Sequence, residues 1–539
     1  PVRFTVTSST VPLAAVTADS TAFEPVEVEL PAMPVGTHRL RVTATAPGRT
    51  PALSDTITRR FEVVKTRAIR SHVTSVPLTP GTTVGGGDGL TRVTLVDAGR
   101  GRVVPLLLEA ADAEPYRADV AIAAAMARDQ RAEGFGNPDS PGLPEPDLLA
   151  FQDYGGIGVM PYASADLELS AMAALSGDRR VNRDALRRYF EELPDQTEGR
   201  LPLTRELYLL LGRAALGDAS IGEVTLAAAR KDLTVVQEVT VALAALAVGD
   251  ESTARRLYRQ ILADHGERLG PWVRIKAKSA EATAVSTARL AIVAAALGDP
   301  IAADMDAEVA AHPPTDTVLD LERVIAASRW ADRMPKADAT AAVTIDGVKS
   351  VVTVTGDEPA QLEVTPAQRQ TLRIDPVSGS VIVAARWDGP VSEADLVAPA
   401  GMSVKRTITP AGRLGPTDTV VVSFAVTLGP NADDSCWQMT DLTPSGLAPI
   451  AGSGRWEEVD EEEDVVATTH ERPWRVVGQR VDFCVSPDPK VPTQTLRYLA
   501  RVVTSGSYRW EPAVLQSSVV PEQGVVLPAF DMTVEGLGS

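Results

Sequence analysis

Thiols, imidazoles and clustered carboxylates are the groups that could do chemistry in this chain, and they are few and scattered. Cysteine occurs twice, at Cys436 and Cys484, both in the last quarter of the 539 residues. Two thiols are too few for a zinc site but suit one disulfide in an oxidising compartment. Joined, they would close a loop worth about 4 kcal/mol in the chain-entropy model. The other reading is two buried free thiols in a cytosolic domain. The five histidines (His38, His72, His265, His312 and His470) lie far apart and never form His-Glu-x-x-His. Each is expected at the surface or at a helix cap. No Gly-x-Ser-x-Gly elbow occurs, and the nearest stretch, Gly452-Ser453-Gly454, reads as a loop without a following helix.

Two further stretches invite a ligand and fail on spacing. Gly85-Gly86-Gly87-Asp88-Gly89 has the look of a phosphate cradle, yet no Lys-Ser/Thr follows it. It is expected to be a flexible linker towards a helical region. The run Glu457, Glu458, Asp460, Glu461, Glu462, Glu463, Asp464 offers oxygens to a hard cation. It lacks the Asp-x-Asp-x-Asp-Gly spacing of a calcium loop and reads as a solvated loop between strands. No catalytic residue, metal or cofactor is therefore expected, and the chain reads as a non-enzyme.

The elements around these residues fall into three textures. At 539 residues the chain exceeds the roughly 250–300 at which one core stops growing, which implies about three or four domains. Hydrophobic residues at 44% and charged residues at 23% fit folded protein. The net charge of −19 argues against nucleic acid and against anionic lipid as partners. No apolar run reaches the roughly 20 residues of a membrane-spanning helix; the best, around Val239–Val248, is a core helix by length. The chain starts at Pro1 within a strand-like pattern and is expected to be a fragment or processed product.

Residues 1–100 alternate as strands, at Val26–Leu30, His38–Thr45 and Thr56–Val64, with Pro and Gly turns between them. Residues 101–335 are Ala/Leu-rich and helical. Gly177-Asp178, Gly217-Asp218, Gly249-Asp250 and Gly298-Asp299 recur there at separations of 40, 32 and 49 residues. Each Gly suits the left-handed end of one helix and each Asp the cap of the next, as in stacked helical hairpins closing a solenoid or ring. Strand texture returns over 336–400, at Ala341–Ile345, Lys349–Thr355, Gln361–Thr365 and Ser380–Ala385, with Asp346-Gly347 as a hairpin turn. Flanking β segments imply that the helical block is inserted into a β domain. Residues 401–539 read as an all-β sandwich, with Val420–Leu428 and Leu496–Val503 its clearest strands. Trp437 and Trp510 are expected in its core and Trp437 beside the cysteines, while Trp456 and Trp474 fit either core or an exposed patch.

This order, together with particular stretches, resembles the C-terminal part of bacterial alpha-2-macroglobulins. The stretches are Tyr154-Gly155-Gly156-Ile157-Gly158, Pro161-Tyr162, Asp166-Leu167-Glu168-Leu169, Asp441-Leu442-Thr443-Pro444-Ser445-Gly446-Leu447, Arg497–Val503, Tyr508, Trp510 and Pro512. The resemblance implies a mixed all-β and all-α chain. A CUB domain would be split by an α/α-toroid, the thioester domain, and a macroglobulin-like domain would close the chain. It implies an endopeptidase inhibitor that takes proteases as partners, outside the cytoplasm (periplasm, cell surface or secreted) and anchored, if at all, through a preceding segment. The family's Cys-x-Glu-Gln thioester near the start of the toroid is missing, since no cysteine precedes Cys436. Gln130 and Gln152 fall near that region and are plain polar residues without a thiol. The expectation is a trap that holds proteases physically, with no thioester. The alternative is a structural or adhesive envelope protein whose partners are other envelope proteins. Toroidal cyclases and prenyltransferases are disfavoured, because the helical region lacks Cys and any Asp-rich cluster.

Overall fold

The structure is a computed structural model that describes residues 2–9, 15–21, 33, 36–46, 48, 53–63, 69–113, 117–136, 147–161, 163–194, 200–314, 317–390, 396–410, 412, 414–415, 418–430, 432, 436–453, 470–488, 490–518, 520 and 523–535. The expected strand Val26–Leu30, the acidic run, Trp456, Tyr162 and Gly454 lie outside these residues.

The first sheet is antiparallel, in the order β2-β1-β3-β4, built from β1 (Val2–Ser8), β2 (Val16–Ser20), β3 (Gly36–Ala46) and β4 (Leu53–Val63). Val6 and His38 are buried on one of its faces. His38 is thus not a surface residue as expected: it is buried, with its ring 5.7 Å from that of Phe61.

Next come β5 (Ile69–Pro77) and β6 (Thr91–Asp97), separated by the glycine-rich stretch. That stretch does not lead into the helices. It runs directly into β6, with Gly85 and Gly87 seated against Trp387, and Arg369 Nη1 donating to the Gly87 carbonyl at 2.8 Å. The glycines are there for close approach; a Cβ on Gly87 would overlap the indole.

The helical block holds α1 (Val104–Ala111), α2 (Ala118–Asp129), α3 (Leu167–Ser176), α4 (Arg183–Glu192), α5 (Leu203–Leu216), α6 (Ile221–Ala228), α7 (Val235–Ala247), α8 (Glu251–His265), α9 (Ala280–Ala296), α10 (Ile301–Ala311) and α11 (Asp320–Arg333). Gly177, Gly217, Gly249 and Gly298 all have positive φ and sit between α3/α4, α5/α6, α7/α8 and α9/α10, where sequence spacing puts them. The aspartates are less uniform. Asp250 caps α8, whereas Asn182 and Ser220 cap α4 and α6. Packing runs α2–α3–α5–α7–α9–α11 and back to α2, a closed circuit of inner helices. Ala residues let these helices approach closely, and α9 is buried nearly all round. Short strands absent from the sequence reading interrupt the block: β7 (Gln152–Asp153), β8 (Gly156–Gly158) and β9 (Ala165–Asp166), then the hairpin β10 (Gly266–Leu269) and β11 (Trp272–Ile275). Among the described residues, no helix is long and apolar enough to cross a membrane.

After the block come β12 (Ala339–Ile345), β13 (Val348–Val354), β14 (Ala360–Val364), α12 (Pro366–Thr371), β15 (Arg373–Ser378) and β16 (Val381–Pro390). One sheet has the order β14-β6-β16-β5, so strands from either side of the helical block pair with each other. It shares a core with the sheet β13-β12-β15 through Val93, Leu95, Val343 and Ile374. Asp346 and Gly347 turn the β12–β13 hairpin with φ of 52° and 79°. The helical block therefore interrupts a β unit, as the flanking textures suggest.

The last unit contains β17 (Ser403–Thr409), β18 (Thr419–Thr427), β19 (Trp437–Leu442), β20 (Leu447–Pro449), β21 (His470–Glu471), β22 (Arg475–Val477), β23 (Arg480–Val485), β24 (Thr493–Val502), β25 (Gly506–Trp510), β26 (Ala513–Ser517), β27 (Gly524–Leu527) and β28 (Phe530–Val534). The sheets β17-β18-β24-β20 and β22-β23-β19-β26-β27 share one core, which includes Phe424, Trp437, Phe483, Tyr498 and Trp510.

Candidate functional site

The start of the helical block is where the resemblance would place acyl chemistry. A buried arginine occupies the entry. β6 ends at Asp97, whose carboxylate accepts from the Gly99 and Gly101 amides at 2.9 and 2.8 Å, turning the chain into a 3-10 turn at Arg100–Val103. Burial pushes the Asp97 carboxyl up, and the Gly101 and Gly99 amides oppose it. A side chain on Gly101 would overlap Asp97 and Val96.

Arg100 is 7% exposed. Its guanidinium donates to the carbonyls of Ala331, Gly134 and Gly356 at 2.7, 2.7 and 2.6 Å and to Asp357 at 3.0 Å. It also lies 4.5 Å from the centre of the Phe135 ring. Trp330 Nε1 donates to the Gly99 carbonyl at 3.1 Å, and Lys336 pairs with Asp357 at 2.7 Å. One cation thus joins the entry and exit of the helical block to the β13–β14 loop. Arg386 pairs with Asp112 across the same boundary. Below, Val96 and Ala384 share a core with α1, α2 and α11. The arrangement can hold two units together.

Gln130 and Gln152 do not meet there. Gln130 lies in a turn after α2, with its amide beside Gly134. Gln152 spans the Gly155 carbonyl (3.1 Å) and the Asn182 amide (2.8 Å), and so holds the Tyr154–Gly158 loop against the start of α4. Gly155 and Gly156 approach Ala185 and Tyr189 too closely for a side chain. Asp166 caps α3 by accepting from Leu169 at 2.7 Å. The stretches that carry the resemblance in this region are accounted for by packing.

The C-terminal stretches converge on one buried carboxylate. Asp441 is fully buried, and it accepts from Tyr498 OH (2.6 Å), Arg406 Nη1 (2.8 Å) and Trp510 Nε1 (3.1 Å). Arg406 lies against both the Trp510 and the Phe530 ring, 5.1 and 4.8 Å from their centres. Burial pushes the Asp441 carboxyl up, against the pull of Arg406. Burial, then Asp441, pushes the Tyr498 phenol well above its ordinary range. Gly446 supplies the flat seat for the Tyr508 ring. Sequence reasoning used these residues only as a pattern.

Cys436 and Cys484 are joined as a disulfide with Cα atoms 5.3 Å apart, beside the buried Trp437. Trp474 is half-buried under the Arg475 guanidinium, 5.0 Å from its ring. A second buried carboxylate, Asp482, was missed; it accepts from Thr440, Arg475 and Arg480 at 2.7 to 2.9 Å. Of the remaining histidines, His72 stacks on Trp387, His265 lies 3.5 Å from Glu238 and His312 lies 3.1 Å from Glu308. A cleft of about 390 Å³ lies between β11, α9 and α10 and is lined by residues that include Arg274, Lys276, Lys278, Glu308 and His312. Arg274 and Lys276 both turn to Glu267. Among the described residues, no group of three or more His, Cys, Asp or Glu side chains could hold a metal ion.

No protein-family model matches the sequence, and no curated protein does. Solved structures do. The native alpha-2-macroglobulin of Escherichia coli, spanning domain MG7 to the C-terminus, matches with a TM-score of 0.68 at 16% identity, covering 99% of this chain and 94% of that one. The native conformation of the E. coli protein seen by electron microscopy gives a TM-score of 0.67 at 16% identity, covering 99% of this chain and 38% of that one. Salmonella alpha-2-macroglobulin reacted with methylamine gives 0.66 at 14% identity, with 99% and 39% covered. This chain therefore has the fold of the C-terminal region of bacterial alpha-2-macroglobulins, and it spans less than two-fifths of the longer relatives.

Proposed function

We propose that this chain, which shares the fold of the MG7-to-C-terminus region of bacterial alpha-2-macroglobulins, is the corresponding part of a protease-sequestering protein that works without a thioester. In this reading residues 1–100 supply a macroglobulin-like sheet and the first part of a CUB domain. Residues 101–335 form the α/α-toroid, 336–400 complete the CUB domain, and 401–539 form the closing macroglobulin-like sandwich. The observation that carries the reading is coverage: the likeness runs over 99% of the chain and is not confined to one domain of common type.

The non-covalent part follows from the thiols. Acylating a captured protease requires a thiolate within reach of a glutamine amide. The helical block contains no cysteine, and the only two in the chain are bonded to each other. The disulfide favours an oxidising compartment, hence the periplasm, cell surface or medium.

The test is to cut the full-length protein with a limiting amount of trypsin and follow it by native gel and small-angle scattering. A single early cut and compaction are expected, with the trypsin active on a small peptide but shielded from a large protein substrate. Methylamine, which was reacted with the Salmonella protein, is expected to add no mass. Scattered cuts with no change of shape would remove the inhibitor reading and leave an envelope scaffold.

A further inference from the structure

The cleft between β11, α9 and α10 has walls of opposite charge. Arg274 on β11, with Lys276 and Lys278 just beyond it, makes one wall cationic. Arg274 and Lys276 share a single anion, Glu267, and Lys278 meets no carboxylate among the described residues. α9 starts at the same wall, where the Ser279 hydroxyl accepts from the Ala282 amide at 3.1 Å. That cap leaves the Ala280 amide, which also lines the cleft, without an acceptor in the helix. The cations and the start of the helix both favour a negative group here.

Across the cleft, Glu308 on α10 is 6% exposed. Its Oε2 lies 3.1 Å from Nδ1 of His312, whose own side chain is exposed, and no other donor meets the carboxylate among the described residues. A buried carboxylate is costly unless its oxygens are hydrogen-bonded, so Oε1 is left for a donor that enters the cleft. Between the two walls the lining is Ala277, Ala284 and Val309 with Thr283 and Thr287. Both hydroxyls already accept from the chain, from the Ala277 amide at 3.0 Å and the Ile275 amide at 2.9 Å, which holds that floor against β11.

We propose that this cleft binds a short peptide with both ends free, its ammonium on Glu308 and its carboxylate on Lys278 and the Ala280 amide. A simple anion would be repelled by Glu308, and a simple cation by the basic side chains opposite. A molecule carrying one charge at each end satisfies both walls. The volume of about 390 Å³ stands at the lower end of small-molecule sites, enough for a few small residues and too little for a folded partner. Because the chain ends are what the walls recognise, the site is indifferent to sequence beyond the size of the side chains. It is independent of protease sequestration.

The experiment follows binding of Ala-Ala, N-acetyl-Ala-Ala and Ala-Ala amide to the full chain by ligand-observed NMR and calorimetry, with sodium acetate as the simple anion. Ala-Ala is expected to bind, and capping either end to weaken it about ten-fold, as loss of one charge-assisted contact would. Glu308→Gln is expected to abolish the preference for the free over the acetylated peptide and to keep the preference over the amide. Lys278→Gln is expected to do the reverse, shrinking the preference over the amide alone. Lys231→Gln, the same charge change at an exposed position outside the cleft, is expected to leave binding unchanged. Equal binding of free and capped peptides, no binding of Ala-Ala, acetate binding as tightly as Ala-Ala, or equal losses from the two lysine variants would overturn the proposal. Should Glu308→Gln fail to fold, the capped peptides on the unaltered chain and the exposed Lys278→Gln still decide it.

Discussion

The helical block and the C-terminal unit bury charge in different ways. In the block, Arg289 on α9 reaches Glu322 on α11 at 3.0 Å, Tyr208 on α5 at 3.0 Å and Glu168 on α3, linking four inner helices through one cation. Around it the core is largely alanine, leucine and valine. Burial pushes the Glu322 carboxyl up and the Tyr208 phenol up to about 12. In the C-terminal unit the centre is an anion, Asp441, whose partners arrive from β17, β24 and β25 in a core of large aromatics. Helices satisfy their own backbone, so small residues can close the gaps between them. Between the sheets the large rings of Tyr498 and Trp510 bring an O–H and an N–H that need an acceptor, and Asp441 supplies it.

That contrast can be tested by emptying each centre. Asp441→Leu leaves Arg406 buried without an anion and Tyr498 and Trp510 without an acceptor. A loss of about 3–5 kcal/mol is expected in denaturant unfolding followed by tryptophan fluorescence. Adding Arg406→Met is not expected to restore stability, because the phenol and indole donors stay unpaired at about 1–3 kcal/mol each. Arg289→Met should cost a similar amount by stranding Glu322, but Arg289→Met/Glu322→Leu should return most of it, since a well-packed apolar pair replaces a buried ion pair at little cost. Equal recovery in both doubles would erase the distinction between the two centres.

The cross-link sharpens the same comparison one step lower. Cys436→Ser/Cys484→Ser opens a loop spanning 48 residues in the C-terminal unit alone. It is expected to cost about 2–4 kcal/mol there and to leave the unfolding of the helical block unchanged. Peptide mapping under non-reducing conditions first confirms the pairing, and calorimetry then reads the two units separately. A matching shift in the helical transition would show that the units unfold together.

What was legible in the sequence follows the same division. Positive-φ glycines at 177, 217, 249 and 298 could be read because the need for a left-handed residue is local. Which residue caps the next helix was less visible, since Asp178 bonds to Arg180 while Asn182 takes the cap. The pairing of β6 with β16 leaves no local signature; only the flanking textures hinted at it. The hairpin at 266–275 was missed although Gly270-Pro271 marks its turn, because an Ala/Leu-rich surround suggested continuous helix. Arg100 was passed over because a lone arginine before a helix reads as surface. Its burial depends on carbonyls at 134, 331 and 356 that only the fold brings together. The buried carboxylates of the C-terminal unit hid for the same reason.

The smallest effects distinguish local from tertiary stabilisation within the helical block. α6 begins with the capping box Ser220–Glu223 and α7 with Thr234–Gln237, the same geometry with an ionisable and a neutral partner. Hydrogen bonds from the Ser220 amide and then its hydroxyl hold the Glu223 carboxyl below its ordinary value of 4.5. A folded value below the unfolded one means that the native state favours the carboxylate. Its contribution is complete above the ordinary value and is lost as pH falls through the folded one. Ser220→Ala and Thr234→Ala are each expected to cost about 1 kcal/mol at neutral pH. In acid the Ser220→Ala penalty should shrink while the Thr234→Ala penalty stays level, as read by paired denaturant curves at neutral pH and below 4.5. Parallel losses at both caps would mean that the ionised Glu223 adds nothing beyond the neutral box.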